Sequence, residues 1–239
     1  MLGQRIKSPE MITLPGTPEV ELLVRPSARA RRLSLRISRL DGRVTMSVPK
    51  GTPRREAVKF AQERADWIRG HLNDIPTDVR PSFGDHIPFL GKLHQLVAAD
   101  TRMARLGDGF ITLPSKAPDK IGPRLMALFK NEARQRLDLA SRRYASEIGY
   151  EFNRITLRDT RSRWGSCSSD GNLMYSWRLV MAPEEVLDYV AAHEVCHLAH
   201  MDHSARFWDQ VEAICPHYAT HRKWLQKHGA DLHRYRFRD

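Results

Sequence analysis

The sequence predicts an α+β protein with a mainly β first half and a mainly helical second half. In the first half, short runs of alternating apolar and polar residues are separated by glycines and prolines, which is typical of strands and turns. Beyond residue 123, apolar residues recur every three or four positions, as in amphipathic helices. Three prolines and a glycine lie within 114–123 and predict a linker. We therefore expect one domain over 1–113 and a second over 121–239.

The composition indicates a globular protein. The chain has 239 residues, of which 41% are hydrophobic and 28% charged, and no apolar stretch is long enough to cross a membrane. The first 16 residues contain Arg5, Lys7 and Glu10 and lack the apolar core of a secretory signal. Three scattered cysteines do not form a disulfide framework. These features predict a cytoplasmic protein with no membrane partner.

The first domain contains a predicted hairpin followed by a helix. Apolar residues alternate over 33–37 and again over 44–48, and Asp41-Gly42 supplies the turn between them. Thr52-Pro53 then begins a predicted helix whose apolar stripe extends to Leu72. Three more strands are expected further along the domain, at 87–90, 93–98 and 110–113.

The positive charge is concentrated in this domain. The net charge is +11, with 21 basic and 13 acidic residues in 1–120 but 18 and 15 in 121–239. The segment 25–55 holds ten basic residues and a single acidic one, Asp41. Such a patch can attract nucleic acid, a nucleotide or an acidic protein, although it is equally typical of a solvated surface.

The second domain is expected to alternate helices with one hairpin. A long amphipathic helix is predicted over 125–148. Strands at 154–159 and 172–180, joined by the polar loop 160–171, are expected to form a hairpin. The second of these alternates as a half-buried strand, and an exposed edge there would pair with an extended peptide. Pro183 then begins a helix with Glu184 and Glu185 in its first turn.

That helix carries the pattern H-E-x-x-H at His193, Glu194 and His197. Histidines four residues apart lie on one helix face, so both imidazoles can reach one metal ion at about 2.0 to 2.1 Å. Glu194 lies beside them and is placed to take a proton from a water molecule activated by the metal. The pattern therefore predicts a metal centre with Glu194 as general base. Two ordinary surface histidines are the alternative.

The third metal ligand has four candidates. His203 ranks first, because the chain must leave the helix near Met201 and Ser204 is a suitable N-cap for the next helix. Glu212 ranks second, since a carboxylate from a following helix completes other sites of this kind. His200 and His217 are less well placed, and His200 lies about 10.5 Å along a straight helix from His193.

Four residues near the predicted hairpin are candidates for substrate binding. Arg161, Arg163 and Ser166 lie in the polar loop, and Arg178 lies in the strand that follows. Cationic and hydroxyl groups of this kind can stabilise an oxyanion or a phosphate. The neighbouring Cys167 is expected to be a small buried thiol rather than a metal ligand.

Several motifs resemble the YgjP-like metal-dependent hydrolases, a group of predicted zinc metallopeptidases related to SprT-like and zincin proteins. The matching segments are RWGSC at 163–167, WRLV at 177–180, AP at 182–183, DYV at 188–190, HEVCHL at 193–198 and DHSARFW at 202–208. The resemblance implies a zincin-like catalytic domain whose active-site helix carries the H-E-x-x-H motif. It also implies Zn²⁺ as cofactor, with His193, His197 and His203 as ligands and Glu194 as catalytic residue. Asp202 stands where an asparagine is expected in the family pattern.

These observations favour hydrolysis of a peptide or protein substrate, with Glu194 moving the proton from water to the leaving amine. A first alternative is hydrolysis of a phosphoanhydride or nucleotide at the same metal, which the arginines would suit. A second is a nucleic-acid-binding protein with a structural zinc, against which the presence of Glu194 argues.

Overall fold

The computed structural model describes residues 5–38, 41–75 and 77–238. The chain forms two compact units, Met1–Thr77 and Asp78–Asp239. Among the described residues, no helix is long and apolar enough to span a membrane.

The first unit is a four-stranded sheet with two helices. Its elements are β1 (Glu10–Leu14), β2 (Val20–Ser27), β3 (Ser34–Ile37), β4 (Val44–Pro49), α1 (Arg54–Glu63) and α2 (Ala65–Asn73). The strand order is β1-β2-β4-β3, and only β2 and β4 run parallel. The predicted hairpin is thus β3–β4, with Ile37 opposite Val44. The single helix expected after Pro53 is divided at Arg64, and β1 and β2 were not expected from the sequence.

Strand alternation gives this sheet one apolar face and one polar face. Val24, Met46 and their neighbours on the same face are fully buried and pack with Ala57, Ala61 and Ile68 of the helices. The opposite face carries Arg25 and Arg36, both exposed, beside hydroxyl-bearing residues of β3 and β4. Since side chains alternate across a strand, the period-2 pattern of the sequence places the arginines on the polar face.

The second unit combines a second sheet, a third sheet and the main helices. The second sheet contains β5 (His86–Phe89), β6 (Lys92–Ala99), β7 (Arg105–Leu106) and β8 (Phe110–Pro114), in the order β5-β6-β8-β7. The long helix α3 (Ile121–Ile148) follows. The third sheet contains β9 (Arg154–Arg158), β10 (Gly165–Cys167) and β11 (Asn172–Ser176). The last helices are α4 (Glu184–Cys196), α5 (Ala205–Ile214) and α6 (Tyr218–His228).

The boundary between the units differs from the one expected at 114–123. Ile87, Phe89 and Ile111 of the second sheet pack in the same apolar core as α3 and α4. The N–H of Leu90 donates to the carbonyl of Val180 at 2.7 Å, which ties this sheet to the later segment. The second sheet therefore belongs with residues 121–239, and the proline-rich segment is a connection inside the second unit. The composition of 114–123 indicates a break in regular structure. It does not show with which part of the chain the second sheet shares an apolar core.

The prediction that 154–159 and 172–180 form a hairpin is wrong. β9 and β11 pair in parallel, with Ile155 opposite Leu173, and the antiparallel partner of β11 is the short strand β10. The strand also ends at Ser176, because Trp177–Met181 forms a 3₁₀ turn in which all five residues are buried. β11 is the central strand of this sheet, so it has no free edge for a peptide.

Candidate metal centre

The centre lies at the C-terminal end of α4. This helix is buried on most of its surface and packs against α3, α5 and α6. His193 and Glu194 lie in its last turn, and His197 is its C-cap. The chain then turns, and the backbone N–H of Ser204, the N-cap of α5, donates to Oδ1 of Asp202 at 3.1 Å. This turn returns His203 towards the end of α4.

The structure brings three histidines together. One ring nitrogen from each of His193, His197 and His203 lies within 4.8 Å of the others. Nε2 of His193 and Nε2 of His203 are 3.3 Å apart. Nitrogens bound at about 2.1 Å to a tetrahedral zinc ion are separated by about 3.4 Å, so this spacing fits a shared ion. His200, Glu212 and His217, the other candidates for the third ligand, are not part of this cluster among the described residues.

The orientation of His197 is set by a hydrogen bond. Its Nδ1 lies 2.9 Å from the carbonyl oxygen of His200. Because a carbonyl only accepts, Nδ1 must carry the proton, and Nε2 keeps its lone pair for a metal ion. His200 therefore contributes through its backbone, as a partner that fixes a ligand ring rather than as a ligand.

Aromatic rings enclose the three imidazoles. The ring centroid of Phe207 lies 4.5 to 5.0 Å from all three. Trp208 lies 5.6 Å from His193 and 5.8 Å from His203. Packing against flat rings restricts the rotation of the imidazoles, so the donor nitrogens are held close together before any ion arrives.

Burial keeps two of the three histidines neutral. It lowers the pKa of His193 to about 3, with smaller effects of the same sign from His197, His203 and Arg222. Burial also lowers the pKa of His197. A histidine must be neutral to ligate a metal, so both rings are ready to bind at neutral pH without first losing a proton.

Glu194 is also buried, with 5% of its surface exposed. Burial raises the pKa of its carboxyl to about 8, an effect that the charge of Arg163 partly opposes. A bound divalent cation would favour the ionised form and lower this pKa. Gly165 of β10 faces the carboxylate so closely that a Cβ there would lie 2.5 Å from Glu194 Cγ and Oε1. The absence of a side chain at residue 165 is thus what makes room for Glu194.

A cavity of about 340 Å³ opens beside this cluster. Its wall includes His193 and Glu194, together with Arg163, Trp164 and Arg222. Arg222 of α6 packs over the ring of Trp208 at 4.7 Å. Arg222 is not among the residues predicted from the sequence, because it follows the motif by 25 residues at no spacing that is typical of a site.

The four residues predicted to bind substrate are distributed over different places. Arg163 lines the cavity beside Glu194. Ser166 lies in β10, partly buried and opposite Met174. Arg161 and Arg178 line a separate cavity. Arg178 is buried, and its guanidinium donates to Asp159 and to two backbone carbonyls, so most of its hydrogen-bonding capacity is used within the protein.

Comparison with known proteins gives a consistent picture. The sequence model of a family described as "YgjP-like, metallopeptidase domain" matches residues 31–228. None of the curated protein sequences is significantly similar to the chain. Among solved structures, a metallopeptidase zymogen, abylysin of Pyrococcus abyssi, matches 38% of this chain and 93% of its own, at 20% identity and a TM-score of 0.35. A similarity of that extent carries no argument about the chemistry of this chain.

Proposed function

Since the chain belongs to the YgjP-like metallopeptidase family, we propose that it is a zinc-dependent peptidase. In this proposal His193, His197 and His203 hold the metal. Glu194 is the general base. The single observation that carries the proposal is the cluster of three histidines beside the buried carboxylate of Glu194, with His193 and Glu194 on the wall of one open cavity.

The donor set suits zinc. Three imidazole nitrogens leave one position of a tetrahedral ion open, as in catalytic rather than structural zinc sites. Bound zinc would polarise a carbonyl group and lower the pKa of a water molecule to about 7. Glu194 lies about 100° around the helix from His193, so its carboxylate is beside the ligands rather than among them.

The residues of the chain then have separate tasks. The carboxylate of Glu194 takes a proton from the attacking water and gives it to the leaving amine nitrogen. The guanidinium groups of Arg163 and Arg222, which line the same cavity, are placed to stabilise negative charge on the carbonyl oxygen. The pKa of His193 is lowered to about 3, so that ring does not compete with Glu194 for the proton.

The strand β10 offers a free edge to which an extended peptide can bind by backbone pairing. It pairs with β11 on one side only, so it is an edge strand of its sheet among the described strands. Gly165 at its start lies against Glu194. A peptide that pairs with this edge through its backbone would pass directly beside the general base, which favours a peptide over a nucleotide as substrate.

The test is an activity assay with purified protein of known zinc content. Casein and a peptide library form one arm, and nucleoside triphosphates form the other. We expect cleavage of peptides, and we expect Glu194→Gln to lower the rate by about 10² to 10⁴ while zinc content and melting temperature stay unchanged.

The amide of the variant is nearly the same size but cannot accept the proton. Hydrolysis restricted to the triphosphates would replace the peptidase proposal with its phosphoanhydride alternative. Full activity in Glu194→Gln would exclude Glu194 as the base.

The basic face of the first unit supports a second function, binding of a polyanion such as DNA or RNA. Arg25 on β2 pairs in register with Ser47, and Arg36 on β3 with Thr45, so both arginines flank β4 on the polar face of the sheet. No hydrogen bond or ion pair engages either side chain within the described residues. Arg39, also part of the basic segment 25–55, lies outside those residues.

Titration with DNA and RNA at several salt concentrations tests this function. Affinity should fall steeply as salt rises, because each phosphate contact releases counterions, and Arg25→Gln with Arg36→Gln should reduce the slope by about 2. Lys59→Gln, on an exposed position of α1, is the matched control. No binding at low salt would leave the basic face as a solubility feature.

A further inference from the structure

A second cavity in the same unit is lined mainly by positively charged side chains. Its volume is about 190 Å³. Five cationic residues contribute to its wall: Lys130, Arg161, Arg178, Arg236 and Arg238. Asp159 is the only acidic residue of that wall within the described part of the chain. We call this space the basic cavity.

Among the described residues, the carboxylates beside the basic cavity form ion pairs. Asp159 forms a two-pronged pair with Arg178, at 2.6 Å to Nε and 3.2 Å to the Nη2 nitrogen. Arg178 also donates to the carbonyls of Leu232 and Tyr235, which fixes its position at 6% exposure. Arg236 is paired with Asp78 at 2.8 Å. These two arginines thus form a rigid, neutralised frame.

Three cations remain without an acidic partner in the described part of the chain. They are Lys130 on α3, Arg161 in the loop before β10, and Arg238 near the C-terminus. Like charges held around one small space repel each other, and an arginine cannot relieve the repulsion by losing its proton. The positive charge also acts on His233, which lines the same cavity: burial lowers its pKa to about 4, Arg178, Arg161 and Arg236 act in the same direction, and Asp159 opposes them.

We propose that the basic cavity is a binding site for a phosphate group. Three unpaired cations call for a ligand with more than one negative charge, and a phosphate monoester carries about −1.5 to −2 at neutral pH. Guanidinium groups match phosphate oxygens through two parallel hydrogen bonds. The cavity is far larger than the roughly 10 to 15 Å³ that one water molecule occupies, so it admits a polyatomic ion.

The site is distinct from the metal centre but adjacent to it. The ring of Trp164, which lines the metal-site cavity, lies 5.2 Å from the ring of His233, which lines the basic cavity. Its wall contains none of the three clustered histidines and not Glu194. The proposal therefore holds whether or not the protein is a peptidase.

The test is a titration of the zinc-loaded, full-length protein with inorganic phosphate at constant ionic strength, followed by calorimetry and by melting temperature. We expect saturable binding. Loss of one charge-assisted hydrogen bond costs about 1.5 to 3 kcal/mol, so Lys130→Gln and Arg161→Gln should each weaken binding by about 10-fold or more. Neither side chain has a partner among the described residues, so both variants should fold normally, which melting without phosphate checks.

Matched controls remove equivalent charges elsewhere on the second unit. Lys116→Gln and Arg102→Gln change exposed residues outside the basic cavity and should bind phosphate as the parent does. A nucleoside monophosphate titrated in parallel separates the sources: tighter binding than inorganic phosphate indicates a phosphate carried on a nucleoside, and equal or weaker binding indicates the free ion. The proposal is overturned if phosphate does not bind saturably, or if Lys130→Gln and Arg161→Gln bind as tightly as the controls.

Discussion

The metal-site cavity and the basic cavity lie on either side of the Trp164–His233 ring pair, and the ionisable groups on their walls behave in opposite ways. In the first, burial removes the proton from His193 and leaves its ring as a neutral donor for a cation, beside His197 and His203. In the second, the arginines keep their charge, so the positive field persists and favours an anion. The difference shows that the ligand preference of each cavity follows from whether the groups on its wall carry a fixed charge.

Removal of a histidine from the cluster should have the largest effect. His203→Ala should weaken zinc binding by more than about 100-fold, because even partners that only orient a ligand are worth about 10- to 100-fold. Competition with a chromophoric chelator measures the affinity. His200→Ala is the control, since its backbone carbonyl still accepts from His197. Parent-like affinity in His203→Ala would move the third ligand elsewhere, with Glu212 as the next candidate.

A change on β10 should disturb the general base without removing the metal. Gly165→Ala would place a Cβ against Glu194 and force the carboxylate to move. A displacement of about 1 Å can cost about 10²-fold in rate, so we expect a loss of about 10- to 100-fold in kcat at unchanged zinc content. Gly70→Ala, in a helix with open space around it, should leave kcat unaltered. An unaffected rate in Gly165→Ala would mean that Glu194 can act from another position.

The frame of the basic cavity should depend on its ion pair. Asp159→Asn leaves the buried guanidinium of Arg178 without its carboxylate. Because Asp159 itself is partly exposed, the free energy of unfolding should fall by about 2 kcal/mol, less than for a fully buried pair. Urea denaturation measures it, with the exposed Asp170→Asn as reference. Unchanged stability would show that the two carbonyls alone can hold Arg178.

The smallest expected effect is a dependence of stability on pH through His233. Its pKa in the folded protein is about 4, below the value of about 6.5 for an unfolded chain. Between these values the unfolded state binds a proton that the folded state does not. The stability contributed by neutral His233 is therefore fully present above pH 6.5 and is lost as the pH falls. From pH 7 to 5.5 the loss due to this residue should be about 1 kcal/mol. His233→Gln should lose correspondingly less over that range, and equal losses would contradict a neutral His233.

Local patterns predicted the elements that hold the metal ligands. The helix after Pro183, the turn before Ser204 and the long helix α3 all follow from periodicity and capping residues within a short window. The ligand candidates needed only a spacing of four residues on that helix. The boundary between the two units lay beyond such reasoning, because it depends on which apolar faces share a core.

Long-range arrangements could not be read from the sequence. Alternation along 172–176 predicts a strand but not its partner, and the three-residue strand β10 lies within a segment that reads as a polar loop. The basic cavity joins Lys130, Arg161 and Arg238, which are separated by up to 108 positions in the chain. Arg222 reaches the metal-site cavity only because α6 packs on α4.

The position of Trp208 also allows metal exchange at the centre to be followed by tryptophan fluorescence. Its indole lies within 6 Å of the rings of two of the three clustered histidines and beneath the guanidinium of Arg222. A paramagnetic ion such as Co²⁺ seated between those histidines would quench the emission of a tryptophan at this range, whereas zinc has no unpaired electrons with which to do so. Exchange of one ion for the other could then be followed by fluorescence in real time, with a Trp208→Phe variant to separate its signal from that of Trp164.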